Sequence, residues 1–486
     1  MSRMEEYLAR FRRESGSMSY SVARGGFWML ASKIGTRLLG LLRTLVLARL
    51  LLPEDFGLIG IAMLTVSLVE MFTETGFSNA LIQKKGDIGG YLDTAWTFSI
   101  VRSLALFAVI FLSAPLIAHF FNAPASGSVV RAFAVTMIIS ASRNPGIIYF
   151  LKDLTLSRQF LIEISTFIVN TAVAVSIAVL FRSVWALVFG GIAGSLTMFA
   201  MSYAVHGYRP RFRLDKGKIL ELYRYGRWIS LSFVLYYFIG NGPSIAVGRL
   251  FGAASLGLYQ MAYTIGNLSA AEISSIVSAV TFAAYAKIQD DPERLKRAFL
   301  RVSELTMLLV FPATVGILLL IPEIFAALLG SKWMAAMPAA RILCLNGLLL
   351  GMASLAAPVF NAMARPDISA KLQIIQLALL ALLLYPLSRT GGTEGAAAAL
   401  AVSFAVFASG SFWFVFRLLG CRALEFARRG AIPLIGCLVM GMVVLLLKHT
   451  LHFHTIVNLS LCIACGASAY AGSVWLMGFR GVPSSR

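Results

Sequence analysis

The chain has 486 residues, of which 58% are hydrophobic and only 13% charged, and its formal net charge is +20 at pH 7. Soluble domains carry roughly a quarter charged residues, so this composition excludes an ordinary soluble enzyme and indicates a polytopic membrane protein. Apolar runs of about 20 residues recur along the chain without period-2 alternation, so the spans are helices and the fold class is all-α. Most of the 42 Lys and Arg fall on one side of the membrane if the N-terminus is cytosolic. That positive-inside pattern accounts for the basic balance and excludes nucleic acid as a partner.

Residues 1–24 form a cytosolic tail with no apolar signal core, so no cleaved secretory peptide is expected. Met4, Tyr7, Leu8 and Phe11 recur at helical spacing beside Arg10, Arg12 and Arg13, as in an amphipathic helix on anionic phospholipid. Two long apolar helices follow, Phe27 to Leu52 and Gly57 to about Ile82. Pro53 interrupts the helix between them. The first carries Lys33 and Arg37, the second Glu70 and Glu74, and a tight hairpin sets Arg37 near the depth of Glu70 and Lys33 near Glu74. Charges at that depth are costly unless they pair or line a wet cavity. Lys33 and Arg37 are therefore candidate substrate contacts, and Glu70 and Glu74 candidate ion or proton couplers. A purely structural ladder of ion pairs is the competing reading.

Spans three to six are expected at 94–118, 128–150, 160–181 and 184–206. The linker 209–227 is the densest basic run, with Arg209, Arg211, Arg213, Lys216 and Lys218 among its cations, and reads as a cytosolic segment on anionic lipid. Adding two hundred to the numbers of the first hairpin then finds a second copy: Trp28/Trp228, Ser32/Ser232, Gly40/Gly240, Arg49/Arg249 and Gly57/Gly257 coincide without a gap. An internal duplication follows. The expected organisation is an N-lobe of six helices at 25–208, a C-lobe of six at 228–419 related to it by a pseudo-twofold axis, and two further helices in 420–486, about fourteen in all.

The first lobe also holds Arg43, Arg102, Arg131 and Arg143 within or at the edges of spans, and the second holds Glu272 and Arg341. Where the first copy has Lys33 and Arg37, the second has Phe233 and Tyr237, followed by the Asn241-Gly242-Pro243 break. A cleft offering arginines on one side and rings and amides on the other suits an amphiphile with an anionic group and sugars. Arg102, Arg143, Tyr237 and Asn241 join the candidate substrate contacts, and Glu272 the candidate couplers.

Chemistry has little footing elsewhere. No phosphate-cradling loop for a nucleotide is present, no cofactor is implied and no catalytic triad is spaced for action. Cys462 and Cys465, a CxxC within a span, read as packing. His449, His452 and His454 match no standard metal spacing. Gly190-x-x-x-Gly194 and Gly347-x-x-x-Gly351 read as close helix contacts.

The run Ala48-Arg49-Leu50-Leu51-Leu52-Pro53-Glu54-Asp55-Phe56-Gly57, followed by Glu74-Thr75-Gly76-Phe77-Ser78-Asn79-Ala80-Leu81-Ile82-Gln83-Lys84, resembles the Wzx-like oligosaccharide flippases of the MOP superfamily over roughly residues 18–420. The resemblance implies two six-helix lobes around a central cavity. It also implies a polyprenyl-diphosphate-linked oligosaccharide as substrate, moved across the bacterial cytoplasmic membrane for exopolysaccharide, capsule or lipopolysaccharide synthesis. A polysaccharide polymerase and glycosyltransferases are then expected partners. A cation-coupled multidrug exporter of the same superfamily is the nearest rival; a membrane glycosyltransferase or polymerase is the rival among enzymes.

Overall fold

The computed structural model describes residues 18–73, 77, 81, 88–153, 155–268, 281, 284–285, 287–450 and 455–477. The tail before Met18, Glu74 and Glu272 lie outside them. Two compact units divide the chain, Met1–Val234 and Leu235–Arg486, and the described residues are nearly all helical.

In the first unit α1 (Met18–Leu50) and α2 (Pro53–Thr73) are separated where the sequence places the break. Pro53 opens α2, and Asp55 Oδ2 accepts from the Leu52 amide at 2.9 Å, a local cap for the turn. Then come α3 (Gly89–Phe120), α4 (Ser126–Ala141), a 3-10 turn at Pro145–Ile147, the short α5 (Ile148–Lys152), α6 (Leu156–Phe181) and α7 (Trp185–Val205). Arg182, at φ 47, ends α6 in the left-handed region. Within this unit α1 packs on α6, α6 on α7, and α7 on α4, which in turn meets α2 and α3.

The next helix, α8 (Lys216–Gly266), crosses the boundary between the units and is broken at Gly252, φ 80. Gly252 stands two hundred residues after Leu52, so both copies of the repeat interrupt their first helix at one register. In the second unit follow α9 (Pro292–Ile324), α10 (Met337–Ala353), α11 (Ala356–Ala362), α12 (Pro366–Leu419), α13 (Ala423–Thr450) and α14 (Thr455–Leu476). Asp291 caps α9, accepting from the Arg294 amide at 3.0 Å, with Pro292 in the first turn. The chain reverses inside α12 at Gly392, φ 57. Gly395 there lies against the Leu387 carbonyl, whereas eight residues of straight helix would hold them about 12 Å apart.

Among the described residues eight helices are long and apolar enough to cross a membrane. With α1, α2, α4, both halves of α8 and the second half of α12 added, the count reaches the fourteen expected. The fourth span ends at Ala141 instead of about 150, because Pro145 cannot continue the helix and Asn144 caps the turn that replaces it.

In unit 2 ion pairs tie α13 to both ends of α9. Arg429 meets Glu304 at 2.8 Å and Lys296 meets Glu425 at 3.0 Å, while Lys448 meets Glu323 at 2.8 Å toward the other end. Tyr470 of α14 donates to the Leu308 carbonyl at 2.9 Å. Cys462 sits in the apolar cluster formed by Leu320, Met440, Val444 and Leu459, consistent with packing. Of the three histidines, His452 and His454 fall outside the described residues.

The small-residue motifs act through distance between helices. A Cβ added at Gly190 would come within 2.7 Å of Ala174 Cβ on α6, and one at Gly347 within 2.9 Å of the Gly266 carbonyl. Both obstacles are fixed to backbone. Gly190→Ala is expected to destabilise by about 1–3 kcal/mol through overpacking. Gly316→Ala, whose Cβ meets nothing within 4 Å inside α9, should instead stabilise by about 0.4–1 kcal/mol in thermal unfolding in detergent.

Candidate functional site

The early end of α4 has a structural consequence. Beyond Ala141 the chain turns away from the helix axis, and a cavity of about 470 Å³ opens in unit 1 between α2, α3, the 142–151 turn, α6 and α7. Its walls are apolar where Trp96, Met137, Phe150 and Met198 contribute, and polar where Glu70, Ser99, Arg102, Arg143, Gln159 and Glu163 do. Arginines and carboxylates thus share one cavity in an otherwise apolar body.

Asn144 builds this site. It is fully buried, and each of its polar groups is used. Its amide donates to Ser202 Oγ at 3.0 Å and its Oδ1 accepts from the Gly146 amide at 2.9 Å. Its Nδ2 donates to the carbonyls of His206 at 3.1 Å and Tyr208 at 2.7 Å. The residue therefore pins the turn to the end of α7 and to the segment beyond it.

Arg143, next in line, is held by Nε to the Ser140 carbonyl at 2.8 Å and by Nη1 to Met198 Sδ at 3.2 Å, and it interacts electrostatically with Glu70. Across the cavity, Glu163 accepts from the Ser32 hydroxyl of α1 and from Gln159 Nε2 at 2.9 Å.

The sequence-derived candidates thus separate. Arg102, Arg143 and Glu70 come together on the cavity wall. Lys33 is exposed and Arg37 half-buried on α1, and neither is among the lining residues. Tyr237 and Asn241 belong to unit 2, where Asn241 Nδ2 donates to the Tyr237 carbonyl one turn back at 3.3 Å. Glu74 and Glu272 lie outside the described residues.

Arg43 turns to α6 and donates to Asn170 Oδ1 at 2.8 Å. Arg131 donates to the Phe111 carbonyl at 3.2 Å and lies over that ring. Glu163 and Asn144 are cavity residues that the sequence reading passed over. The available signals were an acid inside the fifth span and the Asn-Pro dipeptide, a common turn former.

The profile of the family described as "Polysaccharide biosynthesis protein" matches residues 46–338, more than half the chain and nearly all of the cavity-forming helices. The chain belongs to this family. It is 24% identical over 366 residues to the lipopolysaccharide biosynthesis protein WzxC of Escherichia coli, covering 74% of each. With the succinoglycan biosynthesis transport protein ExoT of Rhizobium meliloti it shares 23% over 443 residues, 88% of this chain and 87% of that one. Among solved structures, the lipid II flippase MurJ in an inward closed conformation superposes with a TM-score of 0.75 at 15% identity, over 93% of this chain and 98% of that one. This polysaccharide biosynthesis protein thus shares the fold of that structure.

Just outside the cavity, His206 Nδ1 accepts from the Tyr208 amide at 3.1 Å, and the ring stacks on Tyr149 at 5.8 Å. Burial, then the positive charges of Arg158 and Arg209, push its pKa below the ordinary histidine value. The sign follows: a depressed folded pKa means the unfolded chain binds the proton more readily. The contribution of neutral His206 is therefore complete above about pH 6.5 and is lost as pH falls below that value.

The thermal unfolding temperature should fall between pH 7 and pH 5 in the wild type, and less so in His206→Gln. Asn144→Ala leaves the buried Gly146 amide without its acceptor, while the His206 and Tyr208 carbonyls keep Arg209 Nη1 at 2.9 Å, so a loss of about 1–3 kcal/mol is expected from the same measurement.

Proposed function

We propose that this chain flips a polyprenyl-diphosphate-linked oligosaccharide from the inner to the outer leaflet of the bacterial cytoplasmic membrane, by alternating access, for the assembly of an exopolysaccharide, capsule or lipopolysaccharide. The observation that carries this reading is the cavity in unit 1, where Arg102 and Arg143 stand among apolar and aromatic walls, in a member of the polysaccharide biosynthesis family. A diphosphate needs guanidinium partners to leave the headgroup region, because its charge is otherwise prohibitively costly in hydrocarbon.

In this reading both termini are cytosolic and the basic stretch after α7 faces the inner leaflet. The lipid-linked oligosaccharide is received from glycosyltransferases on one side and passed to a polymerase on the other. Glu70 and Glu163 balance the two arginines while no substrate is bound, and exchange of partner or proton at these acids resets the carrier. The proposed cycle makes and breaks no covalent bond, so the protein acts as a transporter and not as an enzyme.

An inside-negative potential of 100 mV favours outward passage of two negative charges by roughly 4–5 kcal/mol if the whole field is crossed, which is enough to bias transport without nucleotide hydrolysis. In proteoliposomes, flipping of polyprenyl-diphosphate-linked sugar is expected to respond to the potential. Arg143→Gln or Arg102→Gln should slow it by roughly 10- to 100-fold, the worth of one charge-assisted contact. A strain lacking the protein should accumulate unflipped lipid-linked oligosaccharide. Transport indifferent to the potential yet dependent on ATP would overturn the mechanism. Unaltered lipid-linked intermediates in the deletion strain, alongside lost export of cationic drugs, would favour the multidrug exporter.

A further inference from the structure

Residues 206–214 do not loop freely after α7. They form no helix and lie along the first turns of α3, where hydrogen bonds from several elements hold them. Tyr208 donates through its hydroxyl to Asp93 Oδ1 at 2.6 Å and to the Gly89 carbonyl at 3.1 Å. The Arg211 amide donates to Asp93 Oδ1 at 3.0 Å, and the Arg213 amide to Thr97 Oγ1 at 3.0 Å. Asn144 holds the carbonyls of His206 and Tyr208. The carboxylates of this region are occupied with these local donors: Asp93 as above, and Asp215 with the amides of Gly217 and Lys218.

A strap so anchored presents a defined surface. Arg209, Arg211 and Arg213 are exposed, and between and beside them stand Phe212 at 75% and Leu214 at 53% exposure. Arg209 donates through Nη1 to the His206 and Tyr208 carbonyls at 2.9 Å and keeps the rest of its guanidinium exposed; alternating guanidinium groups and bare apolar side chains fit the boundary between headgroups and acyl chains better than water.

The same strap reaches the cavity. Phe212 packs on Trp96 at 4.9 Å, and Trp96 and Asn144 line the cavity. The Arg209 guanidinium lies 5.6 Å over the Tyr203 ring. The Tyr203 hydroxyl donates to the Ser142 carbonyl at 3.1 Å, which also accepts from Trp96 Nε1 at 3.3 Å. The residue after Ser142 is Arg143. One ring and one peptide therefore separate a surface cation from a cavity cation.

We propose that the 206–214 strap is a loading station, where Arg209, Arg211 and Arg213 hold the diphosphate of an inner-leaflet lipid before it passes to Arg143 and the cavity. The inference rests on the flippase reading and adds the place where substrate is first recognised. A path of cations at successive depths lowers the cost of each step of the diphosphate away from water. Bulk anionic phospholipid would meet the same charges, but its recognition would not require a rigid link to the cavity wall.

The test is the initial flipping rate of polyprenyl diphosphate, as a function of its mole fraction, by the full chain in phosphatidylcholine proteoliposomes. The variant R209Q/R211Q/R213Q is expected to raise the half-saturating mole fraction tenfold or more and to keep the maximal rate, whereas R143Q lowers the maximal rate. R209K/R211K/R213K should behave as wild type, which separates lost charge from lost folding. Half-saturation in the wild type should rise with salt, and in the glutamine variant it should not.

Equal half-saturation in the wild type and the glutamine variant would overturn the proposal. So would competition by phosphatidylglycerol at matched charge, which would make the strap a general anchor to anionic lipid. Absence of any flipping by the wild type would instead remove the flippase reading itself, and the loading station with it.

Discussion

The interaction on which the first unit depends is a single buried carboxamide. Asn144 is fully buried, and its backbone amide and side chain together satisfy donors and acceptors on three segments. Away from water each of those groups would cost on the order of 1–3 kcal/mol if left unmade. The amide therefore stabilises an interruption that the apolar composition of the stretch would not by itself sustain. From that interruption follow the volume of the cavity, the position of Arg143 at its rim and the course of the chain beyond α7.

Charges elsewhere in the described helices follow the same rule, answered where they stand. Glu304, whose side chain is 8% exposed, is met by Arg301 and Arg429, and Lys448 is met by both Glu323 and the Leu319 carbonyl. These pairs contribute less to net stability than to registration: exchanging them for apolar contacts could be nearly neutral, while losing one partner would leave a buried charge unanswered. They fix where α13 lies along α9, so the last two helices are a built-in part of their unit and not an appendage.

Much of the fold was legible because hydrophobic length and helix breakers act locally. Pro53 announces its break in the residue itself. The fourth span misled because Ile147, Ile148, Tyr149, Phe150 and Leu151 keep the stretch apolar after the helix has stopped. Hydropathy averages across a change of direction; hydrogen-bond geometry does not.

The site was legible only in part for a related reason. Depth along a helix can be read from sequence, and it marked Arg102, Arg143 and Glu70, three residues that line the cavity. The direction a side chain faces depends on which helix packs against it. That is why Lys33 is exposed, Arg43 is drawn to Asn170, and Glu163 faces the cavity although nothing adjacent in sequence marks it.

The glycines of this chain are of two physical kinds, and they differ in how substitution can be repaired. At Gly190 and Gly347 the constraint is the distance to a neighbouring helix, set by a methyl group or a carbonyl across the gap. At Gly252 and Gly392 nothing lies within 4 Å of where a Cβ would be, and the constraint is the left-handed backbone alone. A change at Gly190 can be compensated by a smaller residue in place of Ala174 on the facing helix, so that contact can drift as a co-varying pair, whereas at Gly347 the obstacle is a backbone carbonyl that the facing helix can only move away. A change of the second kind has no neighbour to answer it, and so these two break points must be conserved singly or rebuilt with the whole turn.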